Sequence, residues 1–556
     1  MDFKDKIAIA ISKKLRVGKK EIFDVIEVPP DDKLGDFSFP CFKFAGKNKP
    51  AEIANDLSKK IKISFIDKIE VKGPYLNFFV NKKNLAESVL SSVFKEKENY
   101  GRLKLSNKKV MVEFSQANTH KAFHVGHIRG TSLGESISRI LDFCGNEVVR
   151  ANYQGDTGMH VAKWIWCYQK YHSKDKLVED EAWIAHIYVD AVKRLSENPE
   201  FQKEVDDINR KLESKEDLKL NALWNKTRLL SLGALSKIYK DLDTKFDEYF
   251  FESHVEKKGK EISKKLVKKK IAEISDEATI MRLEDYNLGV WVLLRSDGTV
   301  LYSAKDLALA EEKFMKHKIQ KAVYVVGKEQ EMHFHQLFKT LEIMEFKQAK
   351  NCQYVPVSEV RLPHGKMSSR TGDNVLYSDF KNELIKAAKK EILKREKLND
   401  SDLEKRALAI AVASMKYSML NQGNNKTIVF DKDNAMKFEG DTGPYLQYTY
   451  ARACSILRKS KKKKSLYAHS ISDKETSLLK KIYDFPMVVK KSFTELDPSP
   501  IANYSHGLAK SFNEFYNSCK VIGDKEEVFR LSLVEAFKIT LGNALYLLGI
   551  KALNKM

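Results

Sequence analysis

The stretch from Val110 to Tyr153 constrains the fold more than any other part of the chain. VMVEFS is an apolar strand pattern and a loop bearing histidine and glycine follows it. SLGESISRILDFCG then has helical spacing that ends at Gly145, a residue suited to a helix C-cap, and EVVRANY reads as the next strand. Strand, loop, helix and strand in that order form the building block of a parallel sheet. Strand patterns return at WVLLRSDG, TVLYSA and KAVYVVGKEQ. The sheet is therefore expected to be split by a long, charged, mostly helical insertion at about 165–280, anchored by Trp164, Trp166, Trp183 and Trp224. From about 436 helical periodicity dominates, in YLQYTYARACSIL, NYSHGLAKSFNEFYNSC and FRLSLVEAFKITLGNALYLLGI, which predicts an all-α domain. Before the sheet, AEIANDLSKKI has helical spacing and IDKIEVKGPYLNFFV is strand-like, an α+β combination, and FKEKENYGRLKLSNKK reads as a linker. The expected domains are 1–105, 106–435 and 436–556, a multidomain α/β chain.

A length of 556 residues fits two to four domains, and 43% hydrophobic content supports several cores. Lys and Arg total 98 against 76 Asp and Glu, so the formal charge is +22, enough to draw in a nucleic acid but also compatible with a lysine-rich bias alone. The six cysteines lie far apart with no C-x-x-C pair, which fits a reducing cytosol and predicts no structural zinc. MDFKDKIAIAISKKL has no long apolar core and is not read as a signal peptide, and no apolar run approaches the ~20 residues of a membrane span. A cytoplasmic protein without a membrane partner is expected. RKSKKKKS at 458–465 reads as a solvated loop, with phosphate contact as the alternative.

Residues 113–130, EFSQANTHKAFHVGHIRG, place three histidines and a glycine where the strand hands over to the helix. The first N–H groups of a helix lack intrahelical partners and carry partial positive charge, so this end binds phosphate readily. Gly126 allows close approach to the backbone, and His124 and His127 can both point at triphosphate oxygens with charge-assisted hydrogen bonds. A metal held by His120, His124 and His127 is the weaker reading, since no cysteine or H-E-x-x-H accompanies them; a plain turn is the stronger competitor. No Walker A loop and no G-x-G-x-x-G occurs. Far downstream, VRLPHGKMSSRTGDNV carries Lys366, Ser368, Ser369 and Arg370 on a glycine-flanked loop suited to closing over a leaving pyrophosphate.

HVGH and KMSSR, in this order around a split nucleotide-binding fold, resemble the HIGH and KMSKS motifs of class I aminoacyl-tRNA synthetases. NYQGDTGMHVAK, LYSAKDLALA, VVGKEQEMHFHQ and GPYLQYTYARACSILRK, with GDFSFP and GPYLNFF near the start, make the whole chain similar to the arginyl-tRNA synthetases. The resemblance implies a class I Rossmann-like catalytic domain with a helical insertion, an N-terminal tRNA-binding domain and a C-terminal anticodon-binding domain. It implies ATP, Mg²⁺ carried by ATP, L-arginine and tRNA(Arg) as substrates and partners, and a monomer. Arginine and ATP would give arginyl-adenylate and pyrophosphate, and the arginyl group would pass to the tRNA 3′ end.

By the same match His124, Gly126 and His127 would hold ATP phosphates, with Met367 and His333 near the nucleotide. Lys366, Ser368 and Ser369 would stabilise the departing pyrophosphate. Arg370 stands where KMSKS has its second Lys, and Lys121, just before HVGH, is expected to substitute for it. Asp306, with Tyr302 and Gln330, would take the guanidinium; Glu113 and Asn118 would take the amino group. For Asp306 a local alternative exists, because Ser303-Ala-Lys-Asp306 is also a capping box. Tyr448, Arg452, Asn513 and Tyr516 lie on helical faces that could touch tRNA. The competing functions are a class I synthetase for another amino acid, a noncatalytic RNA-binding descendant, and a small nucleotidyltransferase with an HxGH turn. Intact HVGH and KMSS argue against the second, and the long helical C-terminal half argues against the third.

Overall fold

The computed structural model describes residues 3–45, 49–363, 365–366, 376–460 and 462–556. Two compact units form: one from 1–100, 452–485 and 507–541, the other from 101–451, 486–506 and 542–556.

In the first unit a three-stranded antiparallel sheet runs in the order Phe37–Pro40, Tyr75–Val80, Ile66–Lys72. The hairpin turns at Gly73, whose positive φ of 59° suits glycine. Helices Phe3–Leu15, Pro50–Lys60 and Lys82–Glu96 accompany the sheet. The last of these is capped by Asn81, which accepts from Lys83 and Asn84. FKEKENY, read as linker, therefore begins as helix. Arg452 donates to Asn513 and lies over the Tyr516 ring, so three of the four residues singled out on the C-terminal helices cluster here. In the lysine-rich stretch, Lys462 pairs with Glu527 at 2.7 Å and Lys464 with Glu535.

The second unit is built on a five-stranded parallel sheet in the order Cys352–Val357, Lys321–Gly327, Lys109–Glu113, Glu147–Gln154, Glu248–Phe251. Helix Val125–Phe143 packs on it closely enough that a Cβ at Gly134 would meet the Phe114 ring at 2.1 Å. One core gathers Met111, Phe250, Tyr324 and Val326 with Leu307 and Leu337 of helices Tyr302–His317 and Glu331–Ile343. Another gathers Phe123, Val125 and Ile128 with Tyr239, Tyr377 and Met415. Burying each such side chain contributes about 1.5–3 kcal/mol.

The expected helical insertion is present as Met159–Tyr171, Glu181–Glu197, Gln202–Ser214 and Leu218–Asp241. The span 165–280 nevertheless overran a strand of the central sheet, because Glu248–Phe251 has only four residues and charged neighbours. WVLLRSDG is a strand, Val290–Leu294, but of a separate three-stranded antiparallel sheet. TVLYSA is not a strand: Val300 makes one bridge to Leu294 and the helix starts at Tyr302. All six cysteines are free, and no helix among the described residues is long and apolar enough to cross a membrane.

Candidate active site

The chain leaves strand Lys109–Glu113 toward Glu147–Gln154 on one side and later returns to Lys321–Gly327 on the other. In an open parallel sheet that reversal opens a crevice at the carboxyl ends of the strands, where ligands bind. Glu113 ends one of the two strands and pairs in register with Tyr324 of the other, so HVGH and the GKEQ segment both emerge at this crevice.

His124 is the N-cap of helix Val125–Phe143, and the two motif histidines form a reciprocal cap. The Gly126 N–H donates to His124 Nδ1 at 3.2 Å, and the His124 N–H donates to His127 Nδ1 at 3.1 Å. Both Nδ1 atoms thus act as acceptors, which places each ring proton on Nε2 and leaves that N–H as the outward donor. Burial, with Lys121 nearby, lowers the His124 pKa to about 4. Burial and His124 hold His127 well below its usual value. Both rings are neutral donors, because burial disfavours their charged form, and the charge in the expected hydrogen bonds is the phosphate's. His120 stands apart from them. It is fully buried, bonds the hydroxyls of Thr119 and Thr227 at 2.9 and 2.8 Å, and meets the edge of Trp164. It belongs to the packing between the loop and the insertion, and the three-histidine metal reading falls with it.

The second motif begins where Gly365–Lys366 pairs with Val360–Leu362, Arg361 opposite Lys366. Met367, Ser368, Ser369 and Arg370 lie outside the described residues, as does the side chain of Lys366. The chain resumes at Leu376, which makes an antiparallel bridge to His124, and the Tyr377 N–H donates to the Phe123 carbonyl at 3.0 Å. Arg129 of the HVGH helix, 1% exposed, donates to the carbonyls of Ser358, Glu359, Gly423 and Asn424. Those four flank the paired strands Val360–Leu362 and Ile428–Val429. Both ends of the second motif are thereby tied to the first.

Two regions of opposite charge meet at the crevice. A cavity of about 470 Å³ is lined by Glu113, Asn118, Tyr302, Asp306, Gln330 and His333, five of them the expected arginine-binding residues. Its lining carries four carboxylates, those of Glu113, Glu252, Asp306 and Glu329; Lys313 pairs with Glu113, and Lys305 pairs with Glu252 at 3.0 Å, so Asp306 and Glu329 are the two without an ammonium partner among the described residues. A larger cleft of about 1230 Å³ is lined by His124, His127, Lys121, Lys163 and Lys193, with Asp379 its one carboxylate. Asn118 lines both. Lys121 lies over the Tyr188 ring at 5.5 Å; burial and Lys163 lower its pKa against the pull of Glu252.

Within the acidic cavity the residues differ in freedom. Glu113 is buried against Lys313 at 2.5 Å, and burial pushes its carboxyl up while Lys313 pulls it down. Asn118 accepts from the Gly155 N–H at 3.1 Å, which fixes the loop ahead of HVGH to the end of the next strand. The capping box at Asp306 does not form: Leu301 is the N-cap without a side-chain bond, and the Ser303 hydroxyl donates to the Val292 carbonyl. Asp306 is thus released from helix initiation. His333 bonds Asp306 Oδ2 at 2.6 Å and lines the acidic cavity. Tyr153 was missed by sequence reasoning. Its hydroxyl is buried without a hydrogen-bond partner among the described residues, and burial with Asp306, Glu252 and Glu113 close by raises its pKa well above normal, so it stays a donor. The alternation of EVVRANYQ could have flagged it, since Tyr153 shares a face with Ala151.

The family described as tRNA synthetases class I (R), catalytic domain, matches residues 89–432. An arginine–tRNA ligase of Clostridium acetobutylicum is 36% identical over all of both chains. The chain belongs to the arginyl-tRNA synthetase family. Two further family models match, the arginyl tRNA synthetase N terminal domain at residues 1–80 and the DALR anticodon binding domain at 446–556. An arginine–tRNA ligase of Bdellovibrio bacteriovorus is 36% identical over 96% of this chain and 95% of its own. The Thermus thermophilus arginyl-tRNA synthetase structure is similar over all of both chains, with a TM-score of 0.83 and 26% identity. The Plasmodium falciparum enzyme, at 23% identity and a TM-score of 0.79, shares the fold over 99% of each chain.

Proposed function

We propose that this chain is an arginine–tRNA ligase. It activates L-arginine with ATP to arginyl-adenylate and pyrophosphate, and then transfers arginine to the 3′ end of its tRNA. The observation that carries the reading is the partition of charge at the crevice: a cavity rich in carboxylates opens beside a cleft rich in ammonium groups. Arginine brings a guanidinium and an α-ammonium, and ATP brings a triphosphate, so each substrate meets charge opposite to its own.

In this reading Asp306 receives two guanidinium N–H groups, with Tyr302 and Gln330 beside it. Asn118 serves the amino group from the junction of the two regions. Glu113 acts there too, its charge moderated by Lys313. The carboxylate of arginine attacks the α-phosphorus, forming an O–P bond while the bond to the β-phosphate oxygen breaks and pyrophosphate leaves. The protein's part is orientation and charge stabilisation. The Nε2–H groups of His124 and His127 donate to phosphate oxygens, and Gly126 permits their close approach. Lys121 faces the same cleft, and Lys366, Met367, Ser368 and Ser369 act on the nucleotide and pyrophosphate by family match. With one carboxylate among several ammonium groups, this cleft suits Mg²⁺ carried by the nucleotide better than a metal held by the protein. When bound, Mg²⁺ would neutralise phosphate charge. Arg452, Asn513 and Tyr516 offer a cation and an aromatic face to tRNA.

Citrulline tests the reading, being arginine with its charged end made neutral. Pyrophosphate exchange should run with arginine and fall by about 100-fold or more in kcat/KM with citrulline, because the lost charge-assisted bonds leave buried carboxylate unpaired. Equal exchange with both would refute it.

A further inference from the structure

Three elements converge on Asp306. Its own helix, Tyr302–His317, sets it facing the acidic cavity; helix Glu331–Ile343 brings His333 to its Oδ2 at 2.6 Å; strand Val290–Leu294 brings Trp291 to the far side of that imidazole. The indole N–H of Trp291 donates to His333 Nδ1 at 3.4 Å, with the ring centroids 5.4 Å apart at 61°. Trp291 is 5% exposed, so the donor end of this part-buried bond sits in the core.

An indole nitrogen donates and never accepts, so Nδ1 of His333 must be the acceptor. The ring proton then resides on Nε2, which donates to Asp306. We infer that Trp291 and His333 form a tautomer-fixing relay that positions Asp306 for the guanidinium of arginine, making both of them positioning residues for amino-acid selection. The inference rests on the proposed role of Asp306.

Two consequences favour an imidazole here. A neutral donor pins one carboxylate oxygen without cancelling the negative charge, whereas a Lys or Arg at the same place would neutralise the group that must attract a cation. The remaining oxygen, Oδ1, accepts no hydrogen bond among the described residues, so a planar fork can approach it and the free edge of Oδ2 together. Holding the carboxylate plane in advance spares the substrate the ordering of that side chain on binding.

The test is steady-state pyrophosphate exchange on the full-length protein with tRNA present, measuring KM for arginine and for ATP separately. Removing a charge-assisted hydrogen bond in His333→Ala should raise KM for arginine about 10- to 100-fold while KM for ATP stays within about twofold. His333→Gln, whose amide can supply an N–H near the position of Nε2, should recover most of the loss. Trp291→Phe keeps the buried ring and loses only the N–H; it should raise the arginine KM about threefold and carries the test if the alanine variant does not fold. Unchanged arginine KM in His333→Ala, a parallel rise in both KM values, or failure of the Gln variant to rescue would each overturn the relay. Asp306→Asn is measured alongside. Wild-type arginine KM in that variant removes the guanidinium assignment itself, whereas a crippled Asp306→Asn with a normal His333→Ala removes the relay alone.

Discussion

At the residue scale the structure removes the local alternative for a key side chain. Asp306 could have been explained by helix capping, but Ser303 spends its hydroxyl on Val292 and the cap is Leu301. Asp306→Asn should therefore leave thermal stability near wild type and lower kcat/KM for arginine by about 2–4 kcal/mol in activation free energy, as expected for a charged partner lost from a buried pair. Gly155 is a second sharp position. A Cβ there would lie 2.6 Å from Asn118 Oδ1 and 3.0 Å from Glu252 Oε1. Gly155→Ala should displace Asn118 and raise KM for arginine, while binding of ATP analogues, measured by calorimetry, stays close to wild type. Much of this was legible in the sequence. HVGH announced a helix start at a strand end, and YSAKD with GKEQ supplied the carboxylate and the amide that line the acidic cavity. The pairing of His333 with Asp306 and the buried hydroxyl of Tyr153, unpartnered among the described residues, were not legible, because both depend on which elements the fold makes neighbours.

At the element scale the HVGH helix does two jobs. Its first turn presents two Nε2–H donors, and one turn on Arg129 grips four carbonyls flanking the strands that carry the second motif. Lysine offers three donors without the planar fork and cannot span four carbonyls. Arg129→Lys should lower kcat for exchange more than it raises KM for arginine, with some loss of stability, read by exchange kinetics and thermal melts together. The loop before this helix has its own pH signature. Burial, with His160 and Arg228 nearby, lowers the His120 pKa from 6.5 to about 3. Its folded form resists the proton that the unfolded chain accepts, so the stability it contributes is complete above pH 6.5 and is lost as pH falls toward about 3. The slope is about 1.4 kcal/mol per pH unit for one such group. Calorimetric melts of His120→Asn between pH 6.5 and 4.5 should lack that one-proton share of the slope, around a lower starting stability. Among elements, the β-loop-α-β unit was readable because long periodic segments speak clearly. EYFF was not, since four residues inside a charged helical region give no period to count, and TVLYSA misled because apolar residues at a helix start imitate a strand.

At the scale of the whole molecule the +22 formal charge is distributed, not uniform. A carboxylate-rich cavity sits within a strongly basic chain, which no total could reveal and which composition alone would argue against. A basic exterior suits a polyanionic RNA, and only a local reversal of sign suits a cationic amino acid. Pyrophosphate exchange with each of the twenty amino acids, in the presence of tRNA, tests that claim most directly. Arginine alone should support exchange, and Asp306→Asn should lower its kcat/KM about 30- to 900-fold. Exchange driven by a different amino acid, or undiminished in that variant, would contradict the account.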